Sequence, residues 1–291
     1  MYGFRGPLRR ALAASVAVLA LGGALGACSP FEDDKDGAGS TGTGSAAASA
    51  GSGGDAKGGP QEPSGKVEAG WVKGRVVDTQ GRPIKGAEVV VDNQLLYDSN
   101  LVLTTDANGE YRAELPPIAA TYAVTASFKK TYENNKYTFA LQASDPEPFV
   151  GKTGAVRDFT WQLTGERADM PDSFHGATVV YYLSPTNPVD DSYADSANVR
   201  LTLTPVGPLV DGSTGKTIER KPENTGDGWA VRDVPVGKYK ITAKFADGAG
   251  GRTQPLEVRI RNGGGSFAAE VTTVFKPELT DRQMVSLELQ F

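Results

Sequence analysis

Few residues of this 291-residue chain could do chemistry, and two of the scarcest types occur once each. The one cysteine, Cys28, stands directly after Leu25-Gly26-Ala27 and offers a single thiol. The one histidine, His175, cannot by itself supply a metal site built from two or more imidazoles. It opens an apolar run with no nucleophile signature beside it, which leaves no Ser-His-Asp triad to assemble. Asp190, Asp191 and Asp195 in "NPVDDSYADS" could offer hard oxygens to Ca²⁺, but they lack the ordered spacing of an EF-hand loop, and a solvated loop is the better reading. No metal and no cofactor is therefore expected. Seven aromatics could stack on sugar faces: Trp71, Tyr97, Tyr132, Tyr137, Tyr181, Tyr182 and Tyr193. Tyr132 and Tyr137 lie in the polar stretch "KKTYENNKYTF", so they are expected to be the most exposed and are the candidate ligand-binding pair.

The elements upstream give Cys28 its meaning. Met1–Arg10 carries Arg5, Arg9 and Arg10 and no acid, and Ala11–Leu21 is an unbroken run of Ala, Leu, Val and Ser. That is a positive n-region followed by an h-region too short to span a bilayer. Leu25-Gly26-Ala27-Cys28 resembles the lipobox of a bacterial lipoprotein signal peptide. The resemblance implies cleavage before Cys28 and diacylglycerol on its sulfur, so residues 1–27 are the signal peptide. It also implies an extracytoplasmic protein anchored to the cell membrane through acylated Cys28. Two or more acyl chains, at about 0.8 kcal/mol per buried methylene, hold a protein stably on a membrane. No later segment approaches the roughly 20 apolar residues of a transmembrane helix.

Loss of the three arginines takes the formal net charge from −5 to −8. That balance argues against nucleic acid and against an electrostatic grip on anionic lipid. With the thiol consumed by lipid, no disulfide is available and the core must come from packing. Residues 28–70 open with Glu32-Asp33-Asp34 and become Gly, Ser, Ala and Thr. Such a segment lacks the apolar side chains that would offset its ordering entropy and is predicted to be a disordered tether. Its mean reach is roughly 35 Å.

From Trp71 onward the pattern changes to short runs rich in Val, Thr, Tyr and Phe, broken by Gly, Pro, Asn and Asp. An all-β sandwich follows. The strands predicted in the first half are Trp71–Asp78, Ala87–Val91, Gly109–Leu115, Thr121–Phe128 and Val156–Leu163. Gln80-Gly81-Arg82-Pro83 and Asp106-Ala107-Asn108-Gly109 place Gly and Asn where turns need positive φ. The sequence "GRVVDTQGRPIKGAEVVV", then "TTDANGEYRAELPP", then "TYAVTASF" resembles the carboxypeptidase regulatory-like domain. This resemblance implies a transthyretin-like (prealbumin-like) β-sandwich over residues 71–165.

The second half repeats the plan. Gly176-Ala177-Thr178-Val179 parallels Gly74-Arg75-Val76-Val77, and Ala197-Asn198-Val199 parallels Ala87-Glu88-Val89. Trp229, Val231 and Pro235 follow Tyr111, Ala113 and Pro117 by 118 residues, and Tyr239, Thr242 and Phe245 follow Tyr122, Thr125 and Phe128 by 117. Val285–Phe291 reads as the closing strand. A second β-sandwich, a divergent repeat, is predicted over residues 172–291, with a polar connector near Gly165–Asp172. The expected class is all-β, with two tandem transthyretin-like sandwiches after the tether.

The resemblance implies no catalysis. The prealbumin-like hydroxyisourate hydrolases carry several His and Arg and a C-terminal Tyr-Arg-Gly-Ser, which this chain lacks, and the related ring-cleaving dioxygenases need two His. Collagen-adhesin B-type domains share the topology and form Lys–Asn cross-links. Lys73 lies in the first strand, but no Glu follows the Tyr-x-Val strand, so a cross-link is not expected. The chain reads as a non-enzymatic, lipid-anchored cell-surface protein for adhesion, structural spacing or binding of a surface protein or cell-wall partner. The alternatives are a carbohydrate-binding module that takes a cell-wall glycan and an accessory subunit of a surface complex.

Overall fold

A computed structural model of the chain describes residues 65–187, 191–246, 253–278 and 281–291. Its regular structure is nearly all strand. In the first half these are β1 (Trp71–Asp78), β2 (Glu88–Asn93), β3 (Leu101–Thr104), β4 (Glu110–Glu114), β5 (Thr121–Tyr132), β6 (Asn135–Ala140), β7 (Gln142–Ala143), β8 (Phe149–Val150), β9 (Ala155–Val156) and β10 (Phe159–Trp161). They form two sheets, ordered β4-β1-β10-β7 and β3-β2-β5-β6, with β9 also on β1 and β8 also on β5. Period-two alternation turns Val89, Val91, Tyr122, Val124 and Ala126 into the core between the sheets.

Two local features explain the sequence signals in this half. Gly74 pairs with Tyr111 across β1 and β4, and the Tyr111 hydroxyl donates to the Arg157 carbonyl at 2.6 Å. A Cβ on Gly74 would lie 1.8 Å from that carbonyl oxygen, so only glycine fits beneath the tyrosine. The strand predicted as Val156–Leu163 is instead split at Arg157-Asp158. The Asp158 carboxylate there accepts the backbone N–H of Arg75 at 2.7 Å, and the chain shifts from β9 to β10 along β1.

The second half contains β11 (Ala177–Leu183), β12 (Val199–Pro205), β13 (Ile218–Arg220), β14 (Glu223–Thr225), β15 (Gly228–Val234), β16 (Lys238–Ala246), β17 (Thr253–Ile260), β18 (Val271–Val274), β19 (Lys276–Pro277) and β20 (Gln283–Gln290). The pairing scheme recurs. β1 lies between antiparallel β4 and parallel β10, and β11 lies between antiparallel β15 and parallel β20. β2 lies between β3 and β5, and β12 between β13 and β16. The run β6–β7 crosses from β5 to β10, and β17 crosses from β16 to β20.

The 117-residue offset holds in register. Val124 and Ala126 face Val91 and Val89, and Ile241 and Ala243 face Leu203 and Leu201. Tyr122 packs on Phe149 at 6.1 Å between ring centroids, and Tyr239 on Phe275 at 5.9 Å. Two of the predicted equivalences shift. The counterpart of Val89 is Leu201, two residues beyond Val199, which keeps the same face inward. Gly176 lies against Asp233 rather than against Trp229, which pairs with Tyr181. A register irregularity between Ala177 and Val179 shifts the ladder by one further residue.

The halves belong to one compact unit, and their buried side chains form a single cluster from Val72 to Leu289. The expected polar connector near Gly165–Asp172 is folded rather than loose. Gly165 N–H donates to Asp233 Oδ1 at 2.9 Å, Arg167 N–H to the Ser173 carbonyl at 2.9 Å, and His175 N–H to the Gly165 carbonyl at 2.9 Å.

Candidate functional site

Cys28, with Leu25, Gly26 and Ala27, lies outside the described residues, as do all but the last few residues of the 28–70 segment and Asp190 of the acidic loop. Asp195 accepts the Ala197 N–H and caps the 3₁₀ turn Ser196–Asn198, and Asp191 adopts positive φ. Lys73 Nζ sits 3.5 Å from a Glu68 carboxylate oxygen.

The expectation that Tyr132 and Tyr137 are the most exposed aromatics is overturned. β5 runs four residues past Phe128, turns at Glu133-Asn134 with φ of 45° and 64°, and returns as β6. Positive φ at both central residues is the geometry of a tight two-residue hairpin. The polar stretch is thus a strand pair whose inner positions carry Tyr137 and Phe139. Tyr137 is only 1 % exposed. Its hydroxyl donates to the Phe275 carbonyl in the second half at 2.6 Å, and burial pushes its pKa up to about 12. Tyr132 is half-buried. Its hydroxyl donates to the Pro208 carbonyl at 2.8 Å and accepts the Lys238 N–H at 3.1 Å. The Tyr137 ring is closed to a sugar, and the Tyr132 hydroxyl is taken up by these two backbone groups. Their neighbour Glu133 completes the contact with Lys238 Nζ at 3.4 Å.

The hairpin is one side of a clamp that the sequence did not reveal. Along β6, Gln283 Nε2 donates to the Thr138 carbonyl at 3.0 Å. His175 is buried, with Nδ1 3.2 Å from the Ala140 carbonyl and Nε2 3.0 Å from Gln142 Oε1. Burial first, and then the Arg167 guanidinium, pull the His175 pKa below its ordinary value. Arg167 forks onto Asp169 through Nε at 3.0 Å and Nη2 at 2.7 Å, and reaches Asp281 through Nη1 at 2.5 Å. The pairing holds the Asp169 carboxyl below its usual range. Charge-assisted forks of this kind fix geometry as well as adding energy. The chain's only imidazole and its two candidate aromatics are therefore occupied in joining the halves.

Alternation of Tyr137, Phe139 and Leu141 is the one sequence signal that could have placed this strand. Nothing in composition or spacing marks Gln142, Arg167 or Gln283. Two clefts flank the Arg167–Asp281 pair. One, of about 580 Å³, has a floor of Val90, Thr125, Thr138 and Ala140. The other, of about 460 Å³, is bordered by Phe174, Arg232 and Arg282. The remaining candidate aromatics are dispersed. Tyr181 is buried and donates to the Ser196 carbonyl, Trp71 lies under the Arg112 guanidinium, and Tyr182 under that of Arg261. Tyr97 and Tyr193 are exposed. No helix among the described residues is long and apolar enough to cross a membrane.

No curated protein matches the sequence. Among solved structures, the Bacillus anthracis TIE protein is similar at 15% identity and a TM-score of 0.31, over 76% of this chain and 34% of that one. The chain thus spans about a third of that structure's length. A C-terminal fragment of the pilus adhesin SpaC from Lactobacillus rhamnosus GG is similar at 11% identity and a TM-score of 0.22, over 77% of this chain and 97% of that one. A single B repeat unit of the collagen-binding surface protein of Staphylococcus aureus is similar at 12% identity and a TM-score of 0.20, over 77% and 98%. The family model of the carboxypeptidase regulatory-like domain matches residues 71–150, from the start of β1 to the end of β8, so this part of the first half is similar to that domain.

Proposed function

We propose that this chain is a non-catalytic, lipid-anchored protein of the cell surface, held extracytoplasmically by acylated Cys28. Its two β-sandwich domains, residues 71–165 and 172–291, work as one stiff body for adhesion, structural spacing or binding of a surface partner. The residues between Cys28 and Gly70 are the tether. The observation that carries this reading is the clamp. Tyr132, Tyr137 and His175, among the side chains best suited to ligand or proton chemistry, are engaged in joining one half to the other, and Arg167 ties the connector to the second half. The Arg-rich start, the apolar run and the small residues before Cys28 support the anchor. Regulatory-like domains are modules without catalytic machinery, which supports the absence of an enzymatic role.

Cell fractionation tests the anchor. The wild-type chain should sediment with membranes and take up labelled palmitate. Cys28→Ala should abolish the label and move the chain to the soluble extracytoplasmic fraction. A Cys28→Ala chain that stays with the membrane would sink the anchoring claim.

A further inference from the structure

The repeat places β3 and β13 at equivalent sheet edges, each pairing with the strand that also pairs with β5 or β16. The two edges are built differently. β13 and the residue after it read Ile218-Glu219-Arg220-Lys221, with Glu219 ion-paired to Lys244 at 2.7 Å. Charges on an edge are a common guard against unwanted pairing. β3 reads Leu101-Val102-Leu103-Thr104 and has no such guard.

The geometry of β3 leaves backbone groups available. Thr105 N–H donates to the Ala87 carbonyl, so ladder bonds alternate from that pair, and Val102 and Thr104 turn their N–H and C=O groups away from β2. No partner for them is present among the described residues. Leu101 and Leu103 are only partly buried against the core, and Val102 is 63 % exposed on the outer face. The loop that leads into β3 adds Leu95, Leu96 and Tyr97, all exposed. This loop is held in place, because buried Asn93 accepts the N–H groups of Leu95 and Leu96 at 3.0 and 3.1 Å. Three consecutive large apolar side chains are thus presented by a fixed backbone beside an unpaired edge.

We infer that the β3 edge is a strand-addition site for an extended segment of a partner protein, apolar at alternate positions and flanked by basic residues. Main-chain pairing to Val102 and Thr104 would supply affinity, and alternate side chains would cover Leu101 and Leu103. Charge selects this occupant over a second copy of the chain. Glu88 is matched by Lys129 at 3.7 Å, but Asp92, Asp98, Asp106 and Glu110 also stand between Lys85 and Arg112 with no base among them, so two copies joined at β3 would oppose acid to acid. A basic strand meets the opposite sign. This inference names the partner class for the surface reading above and rests on it. Its readout is peptide binding rather than membrane fractionation, so either can fail alone.

The test uses the full-length chain and two capped peptides, KKVTVTVKK and its charge-reversed twin EEVTVTVEE, by fluorescence anisotropy and amide hydrogen exchange. The basic peptide should bind at least tenfold more tightly than the acidic one and protect the Val102 and Thr104 amides. Val102→Pro removes one outward N–H and no ladder bond, a position where edge proline is tolerated. It should weaken binding tenfold or more without shifting the melting temperature. Val102→Lys, at an exposed position, should weaken the basic peptide while leaving the fold intact. Three results would overturn the inference: no binding of either peptide, equal binding by folded Val102→Pro, or a sedimenting homodimer that Val102→Lys dissociates.

Discussion

The Tyr137 hydroxyl donates a 2.6 Å hydrogen bond to the main-chain carbonyl of Phe275, 138 residues further along the chain. The donor sits on an inner position of β6 and the acceptor between β18 and β19, so one bond joins the two halves at a place closed to water. Phe275 also packs edge-on against Tyr239, a core residue of the second half. The contact therefore ties the first half's hairpin to the second half's core rather than to its surface.

Removing that hydroxyl should cost more than removing its neighbour's. Tyr137→Phe leaves a buried carbonyl without its donor, which costs about 1–3 kcal/mol. At this chain length that lowers the melting temperature by roughly 2–4 °C per kcal/mol. Tyr132→Phe loses two hydrogen bonds, to the Pro208 carbonyl and from the Lys238 N–H, but at a half-exposed site where water can replace the hydroxyl, and should cost about 0.5–1.5 kcal/mol. Thermal melts of the two variants check the order, and a larger loss for Tyr132→Phe would contradict the assignment.

How much of this was legible in the sequence differs by element. β1, β4 and the first part of β5 were readable because Val, Tyr and Ala alternate there and Gly or Pro turns bound them. The matching of β5 and β16 was readable because paired strands keep their spacing, and the 117-residue offset from Tyr122 to Tyr239 recurs in the pairing of Val124 and Ala126 and of Ile241 and Ala243. The hairpin Lys129–Thr138 was misread because Lys, Glu and Asn outnumber its inward residues. Composition in that stretch reported the outer face of β5 and β6 and hid the inner one. The split at Asp158 was invisible because a side chain replaces a ladder partner there, and no periodicity records such a substitution. The clamp could not be read at all. Arg167, Gln142 and Gln283 are ordinary polar residues until folding brings distant segments together.

Acid should weaken the molecule through His175. Its folded pKa lies below its unfolded value near 6.5, so the folded state favours the neutral ring. The stability tied to the neutral ring is complete above the unfolded pKa and is lost as pH falls through 6.5 toward the folded value. The melting temperature should therefore drop between pH 7.5 and 5.5, and His175→Gln should flatten that slope. An unchanged slope in the variant would remove His175 as the cause.

Gly74→Ala should destabilise strongly, because the new methyl meets the Arg157 carbonyl oxygen at 1.8 Å and the Tyr111 ring at 2.9 Å. Backbone shifts of this kind cost about 1–3 kcal/mol. Gly81→Ala is the control. Gly81 has positive φ but open space around it, so it should lose less. Chemical denaturation midpoints of both variants test the ranking.

Arg167→Ala should loosen the connector and strand two carboxylates, Asp169 and Asp281. A loss of about 2 kcal/mol is expected from charged hydrogen bonds of this type. Arg167→Lys should recover only part of it, because an ammonium cannot fork onto Asp169 and reach Asp281 together. Full rescue by lysine would show that charge alone matters there.

The stiffness of the paired halves is tested most directly by differential scanning calorimetry of the full-length chain. One continuous core and an inter-half clamp predict a single endotherm whose calorimetric and van't Hoff enthalpies agree. Tyr137→Phe should shift that endotherm down without dividing it. Two separable transitions in the wild-type chain would mean that the halves unfold independently, and would contradict the account.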